Sequence, residues 1–347
     1  MTYIAPLPEN MKKPAMEDRK KDHIDLAFAS RTMAKEMDSR FAYEPLLSAH
    51  PSDNIPETNF LGKTLKLPLW VSSMTGGTKM AGTINRNLAR ACREFGMGMG
   101  LGSCRLLLEG DRYLTDFDMR GMIGNDLPLF ANLGINQLET LLENRESDRI
   151  EELITRLRAD GIIIHVNPMQ EWFQPEGDRL RRPPVELIEE LLEKTGFPVM
   201  VKEVGQGMGY ESLRALLRMP LAGIEFGAFG GTNFARVEMM RNSSQPKELF
   251  EPLSYIGHDA HQMLNMVNQI TEHEGDAVKC RQLIISGGIR SFLDGYYLIQ
   301  RSTLPAIYGQ ASSFLEHARE DYAHLQSYVR YQISGLQMAW AYLRVRE

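Results

Sequence analysis

The chain's 347 residues are 43% hydrophobic, 24% charged and 8% aromatic; this excludes disordered, collagenous and membrane-spanning classes and leaves two domains of ~150 residues or one large α/β barrel. With 39 basic against 45 acidic residues the formal charge is −6, so no global positive field recruits nucleic acid or an anionic membrane, and any anion site has to be local. Cys92, Cys104 and Cys280 are too scattered for a disulfide framework or structural zinc site, and no stretch reads as a signal-peptide core or as the ~18 apolar residues of a membrane span, so a cytoplasmic protein is expected.

Residues 1–60, rich in proline and charge, read as an arm capping the active site of a barrel domain over 61–347. Short apolar, β-branched runs then recur at 68–73, 97–101, 129–133, 161–166, 198–204, 222–226, 283–286 and 305–308. Between them, 79–95, 138–159, 182–195 and 210–218 carry apolar residues three and four apart, the pattern of helices with one buried face. Eight strand–helix units predict a (β/α)₈ TIM barrel. The glycines of GMGMGLG at 96–102 fit a loop as readily as a strand, and a loop there would leave the sheet open. Residues 232–282 read as an insertion between strands 6 and 7, with a polar turn at RNSSQPKE and a helix at HQMLNMVNQITEH. About 312–345 reads as one helix with an aromatic stripe, either core or subunit interface, and a homo-oligomer is expected.

The active site of such a barrel lies at the C-terminal ends of its strands. There the chain carries SMTGGT, GSCR, ANLG, HVNPMQE, VKEVGQG, FGAFGGT, SGGIR and YGQAS. Glycines after strands 7 and 8 (Gly287, Gly288 and Gly309) suit a phosphate, because backbone N–H groups reach a ligand where no side chain intervenes. His165 and Asn167 share one face of a strand, followed by Gln170 and Glu171. Four such polar groups after GIII point to a site, since each costs about 1–3 kcal/mol if buried unpaired. Glu171 suits Mg²⁺, which binds one or two carboxylates together with substrate phosphate oxygens. Lys202, inside PVMVKEV, calls for an anionic or electron-rich partner; a pair with Glu203 is disfavoured because adjacent strand residues face opposite ways. Arg19, Lys20 and His23 of RKKDHI, together with Arg105, suit a diphosphate clamp over the barrel mouth.

RKKDHI, SMTGG, GSCR, ANLG, HVNPMQE, PEGDR, VKEVGQGM, FGGTNF, SGGIR and AxxFL stand in the order and spacing of the type 2 isopentenyl-diphosphate isomerases, a family that residues 19–315 therefore resemble. The resemblance implies an FMN-bound TIM barrel that uses Mg²⁺, with NADPH as reductant. Such a protein interconverts isopentenyl and dimethylallyl diphosphate, reduced FMN serving as acid and base, and assembles as a tetramer or octamer. Carried over, Ser73, Met74, Thr75, Ser103, Asn132, Lys202 and Thr232 would contact the flavin, and Gly287, Gly288, Arg290, Ala311 and Ser312 its phosphate. Arg19, Lys20, His23, Arg105 and Gln170 would bind substrate; His165, Asn167 and Gln170 would be catalytic, and Glu171 would bind Mg²⁺. The chain departs from the pattern at Cys104, where the family commonly has Gln, at Glu225 to Phe229 before GGT, where it usually begins with Asp, and at GQASSFL. Cys104 and Phe229 are expected to leave the diphosphate pocket less polar. The alternatives are an FMN-dependent dehydrogenase or oxidase of a small phosphorylated or hydroxy-acid substrate, and a non-catalytic FMN-binding protein.

Overall fold

The computed structural model describes residues 16–51, 55–73, 76–241 and 247–346. Its centre is a closed barrel of eight parallel strands: β1 Leu69–Val71, β2 Gly98–Gly100, β3 Leu129–Gly134, β4 Gly161–Val166, β5 Val199–Glu203, β6 Gly223–Glu225, β7 Leu283–Ser286 and β8 Ala306–Gln310. All eight runs form strands, and pairing of β8 with β1 closes the ring. The glycines of the second run are what make a strand possible there. A Cβ on Gly98 would stand 2.5 Å from the Trp70 ring, and one on Gly100 2.6 Å from Ile163 Cδ1, so the missing side chains make room for a fully buried tryptophan.

The Lys79–Phe95 helix starts at Thr78, whose side chain accepts from the Ala81 amide, and ends on Gly96 in the left-handed conformation. The expected helix at 138–159 is two, Ile135–Glu143 and Asp148–Leu157, joined through Arg145 at φ +60°. The polar run between them offers no apolar face to bury. The C-terminal helix is likewise broken, into Ser312–Ala318 and Tyr322–Tyr342, because the Asp321 carboxylate accepts from the His324 amide and starts a new helix. Leu343–Val345 then leaves the helix as a strand, paired antiparallel with Phe41–Tyr43. Leu325, Val329 and Leu336 of the stripe are buried in the main core.

Within 232–282, Ala260–Glu274 packs against Tyr210–Leu217 and Phe292–Arg301, which makes it the barrel's own crossover helix. The added residues are those before it, including Phe234–Arg241 and the turn Glu251–Tyr255; the polar turn expected at 241–248 lies mostly outside the described residues. The hairpin Thr58–Phe60/Lys63–Leu65 closes the end of the barrel opposite the site. Phe60 and Leu65 are fully buried, and Lys63 Nζ reaches Asp160 at 2.6 Å and the Asn125 carbonyl at 2.8 Å, all beside residues that precede strands. Burial opposes ionisation of Asp160, but Lys63, the Leu129 amide and Arg120 outweigh it and hold its carboxyl below the usual range.

Candidate active site

A cleft of about 400 Å³ opens at the C-terminal ends of β1, β5, β6, β7 and β8. Its phosphate-sized end is made of backbone. Gly287 stands at φ +91°, and a Cβ there would lie 2.1 Å from the Ala228 carbonyl oxygen; Gly288 and Gly230 also have positive φ and face each other across the two loops. Arg290, Ala311 and Ser312 complete that end. Its floor is polar: Lys202, Glu225, Ser72 and Ser286 line it, and Ser72 Oγ, Ser73 Oγ and Glu225 Oε2 are buried without a hydrogen-bond partner.

Lys202 is buried and donates to the Glu203 carbonyl oxygen at 2.8 Å, while the Glu203 carboxylate turns the other way and accepts from the amides of Gly205, Gln206 and Gly207 at 2.6, 2.7 and 2.8 Å. One glutamate thus fixes both a cation, through its main chain, and the β5 loop, through its side chain. Gly227 keeps this possible, since a Cβ there would fall 2.0 Å from the Glu203 oxygen.

Beside Lys202, its register partner His165 bonds through Nδ1 to Asn132 Oδ1 at 2.6 Å. An amide oxygen only accepts, so Nδ1 carries the hydrogen and Nε2 keeps its lone pair. Burial, then the charges of Lys202 and Arg105, push the imidazole down to about 3. It is neutral at physiological pH and a hydrogen-bond acceptor more than a proton store. Beyond the end of β4, Asn167 donates to Gln170 Oε1 at 3.2 Å and to Glu171 Oε1 at 2.9 Å; Gln170 donates to Glu238 Oε1 at 3.2 Å. Asn167 Oδ1 is buried and unpartnered. Among the described residues no group of three His, Cys, Asp or Glu could hold a metal by itself.

No protein-family model matches the chain. It is 34% identical over 328 residues, 92% of its length and 91% of the relative's, to the isopentenyl-diphosphate delta-isomerase of Rickettsia felis. To that of Rickettsia akari it is 33% identical over 311 residues, covering 86% of this chain and 85% of the relative. The chain belongs to the isopentenyl-diphosphate delta-isomerase family. Among solved structures, a flavocytochrome b2 variant with sulfite bound matches at TM-score 0.60 and 14% identity over 86% of this chain and 71% of that one. A mandelate oxidase variant with an FMN adduct matches at TM-score 0.55 and 15% identity, over 87% of this chain and 82% of that one. Both likenesses are of fold, and a closed barrel agrees with the type 2 branch that the motifs resemble.

Of the residues proposed for this isomerase-family site from sequence, Ser73, Lys202, Thr232, Gly287, Gly288, Arg290, Ala311 and Ser312 line one cleft. Asn132 and His165 adjoin it through Lys202, and Ser103 contributes a further buried, unpartnered hydroxyl on the β2 loop. Asn167, Gln170 and Glu171 are brought together beside β4. Met74 and Thr75 lie outside the described residues. Arg19, Lys20 and His23 sit on an exposed helix, Met16–Leu26, and none of them lines the cleft. Neither residue expected to make the diphosphate pocket less polar lines this cleft: Cys104 is fully buried, with Sγ on the Gly102 carbonyl, and Phe229 lines a neighbouring groove that shares Gly230 with it. Sequence reasoning missed Glu203, Glu225 and Glu238 as site residues. The signal for Glu225 was present, for it is a lone carboxylate in the apolar run AGIEF, on the argument already applied to Lys202.

Proposed function

We propose that this chain interconverts isopentenyl diphosphate and dimethylallyl diphosphate by moving a double bond through a proton shift, with FMN, Mg²⁺ and NADPH as the reductant. The observation that carries the reading is the adjoining of a backbone-walled anion cradle, a buried lysine and a neutral histidine at one barrel mouth, in a chain of this family. The cleft fits FMN. Gly287, Gly288, Gly230 and Arg290 suit its phosphate, and the orphaned hydroxyls of Ser72 and Ser73 and the Lys202 ammonium suit its polyol and ring acceptors. In its reduced form FMN supplies the acid–base chemistry that an unactivated double bond demands.

The chain's own residues bind, orient and exclude water. Lys202 brings positive charge to the floor; Glu203 holds it and the loop over it. His165, kept neutral, accepts a hydrogen bond without competing for the shifting proton. Glu171, with the unpartnered Asn167 Oδ1 near it, offers hard oxygens to one Mg²⁺ whose remaining ligands come from water and substrate diphosphate. Arg105, whose charge acts on His165, would be a donor to the substrate diphosphate. The helix Met16–Leu26 would bring Arg19, Lys20 and His23 to the mouth of its own barrel or a neighbour's, in an assembly of four or eight chains in the cytoplasm.

Purified protein is expected to bind FMN and turn yellow, and to interconvert the two C5 diphosphates only with Mg²⁺ and a reductant. Turnover with oxidised flavin and no reductant refutes the reading, and steady bleaching of the flavin by a hydroxy acid replaces it with an oxidase.

A further inference from the structure

Glu225 is fully buried in the barrel interior yet lines the cleft. Its Oε1 accepts from Ser286 Oγ at 3.2 Å, and its Oε2 has no partner. The nearest cation does not serve it: Lys202 spends a hydrogen bond on the Glu203 carbonyl, and no ion pair joins Lys202 to Glu225 among the described residues. Ser72 Oγ and Trp70 Nε1 approach the carboxyl but complete no hydrogen bond. An ionised carboxylate with one completed bond and no ion pair is costly in such a place, which favours the protonated form. Burial, opposed first by Lys202 and then by the Ser72, Ser286 and Trp70 side chains, raises its pKa. Because Oε1 is the oxygen that accepts from Ser286, the proton belongs on Oε2, the oxygen left open.

We propose that Glu225 is a ligand-binding residue of the cleft that acts as a neutral carboxylic acid, donating its Oε2–H to a carbonyl or ring-nitrogen acceptor of the bound ring system. Its neutrality leaves the Lys202 charge uncompensated, so the floor favours a ring that gains negative charge. The assignment of that ring as a flavin rests on the function proposed above; the protonation state does not.

Two measurements test this. Infrared difference spectra of ligand-free wild-type protein against Glu225→Gln should contain a protonated-carboxyl band lost in the variant, and adding FMN to the wild type should shift that band to lower frequency. Carboxylate bands alone, or a band that ignores FMN in a protein that binds it, overturn the proposal. Glu225→Leu, which removes the donor, should bind FMN at least tenfold more weakly than Glu225→Gln, which keeps an N–H donor, with circular dichroism verifying that both fold. Equal affinities also overturn it. If Glu225→Leu does not fold, Glu225→Asp, whose shorter acid withdraws the donor, takes its place in the same comparison. If the wild type binds no FMN at all, the flavin assignment and the donor role fail together, while a protonated-carboxyl band would still leave the neutral acid standing.

Discussion

Replacing His165 with glutamine should change how stability depends on pH more than it changes stability at neutral pH. The imidazole titrates at 6.5 in an unfolded chain and is pushed down to about 3 in the fold, by burial and then by Lys202 and Arg105. Since the folded value is depressed, the unfolded chain takes up a proton that the folded chain refuses between those values. The stability tied to a neutral His165 is therefore fully present above about pH 6.5 and is lost as pH falls toward 3. Working the linkage between pH 7 and pH 5 gives a loss of about 2 kcal/mol from this one group. Carboxylates titrate in wild type and variant alike and cancel in the comparison. Urea midpoints for both proteins at the two pH values, without added ligand, should show the wild type losing about 2 kcal/mol more than His165→Gln. Parallel losses would refute the burial argument and mean that His165 accepts a proton in the fold, as a general base would.

Gly287→Ala should be destabilised by at least about 2 kcal/mol and lose FMN binding, because the new methyl meets the Ala228 carbonyl at a left-handed φ; thermal melting and fluorescence titration check it, and an Ala variant with native affinity would deny the cradle. Lys202→Met, removing a charged donor worth about 1.5–3 kcal/mol, should weaken FMN binding roughly ten- to a hundredfold while leaving the melting temperature nearly unchanged. Glu171→Gln should abolish Mg²⁺-dependent turnover and keep FMN affinity; retained turnover would remove Glu171 as the metal ligand. Glu203→Ala leaves one buried and two half-buried amides without their acceptor and should cost about 2–3 kcal/mol and raise the KM for substrate, measured by urea melts and isomerase assays.

The architecture was readable from sequence because its signal is local. Eight apolar runs between amphipathic segments can bury themselves in few ways, and position at a strand's end already marked Gly287, Gly288, Lys202 and His165. The ambiguous run at 97–101 was resolved only by Trp70, a residue far off in sequence that fills the space its glycines leave. Helix breaks at Arg145 and Asp321 hinge on one residue's φ or one cap, which periodicity averages away.

What the sequence determined by itself is the barrel, the face on which chemistry collects and the family, since these follow from periodicity and motif order. Tertiary structure alone decided which polar groups have partners. It turned the Glu203 carboxylate to the β5 loop and gave Lys202 only its carbonyl, left one oxygen of Glu225 without a partner in the floor, set Phe229 behind Gly230, and kept His165 neutral. The reason is physical: hydrogen bonding and desolvation depend on distances between strands that are remote in the chain, and a residue's charge state is a property of that surrounding rather than of its place in the sequence.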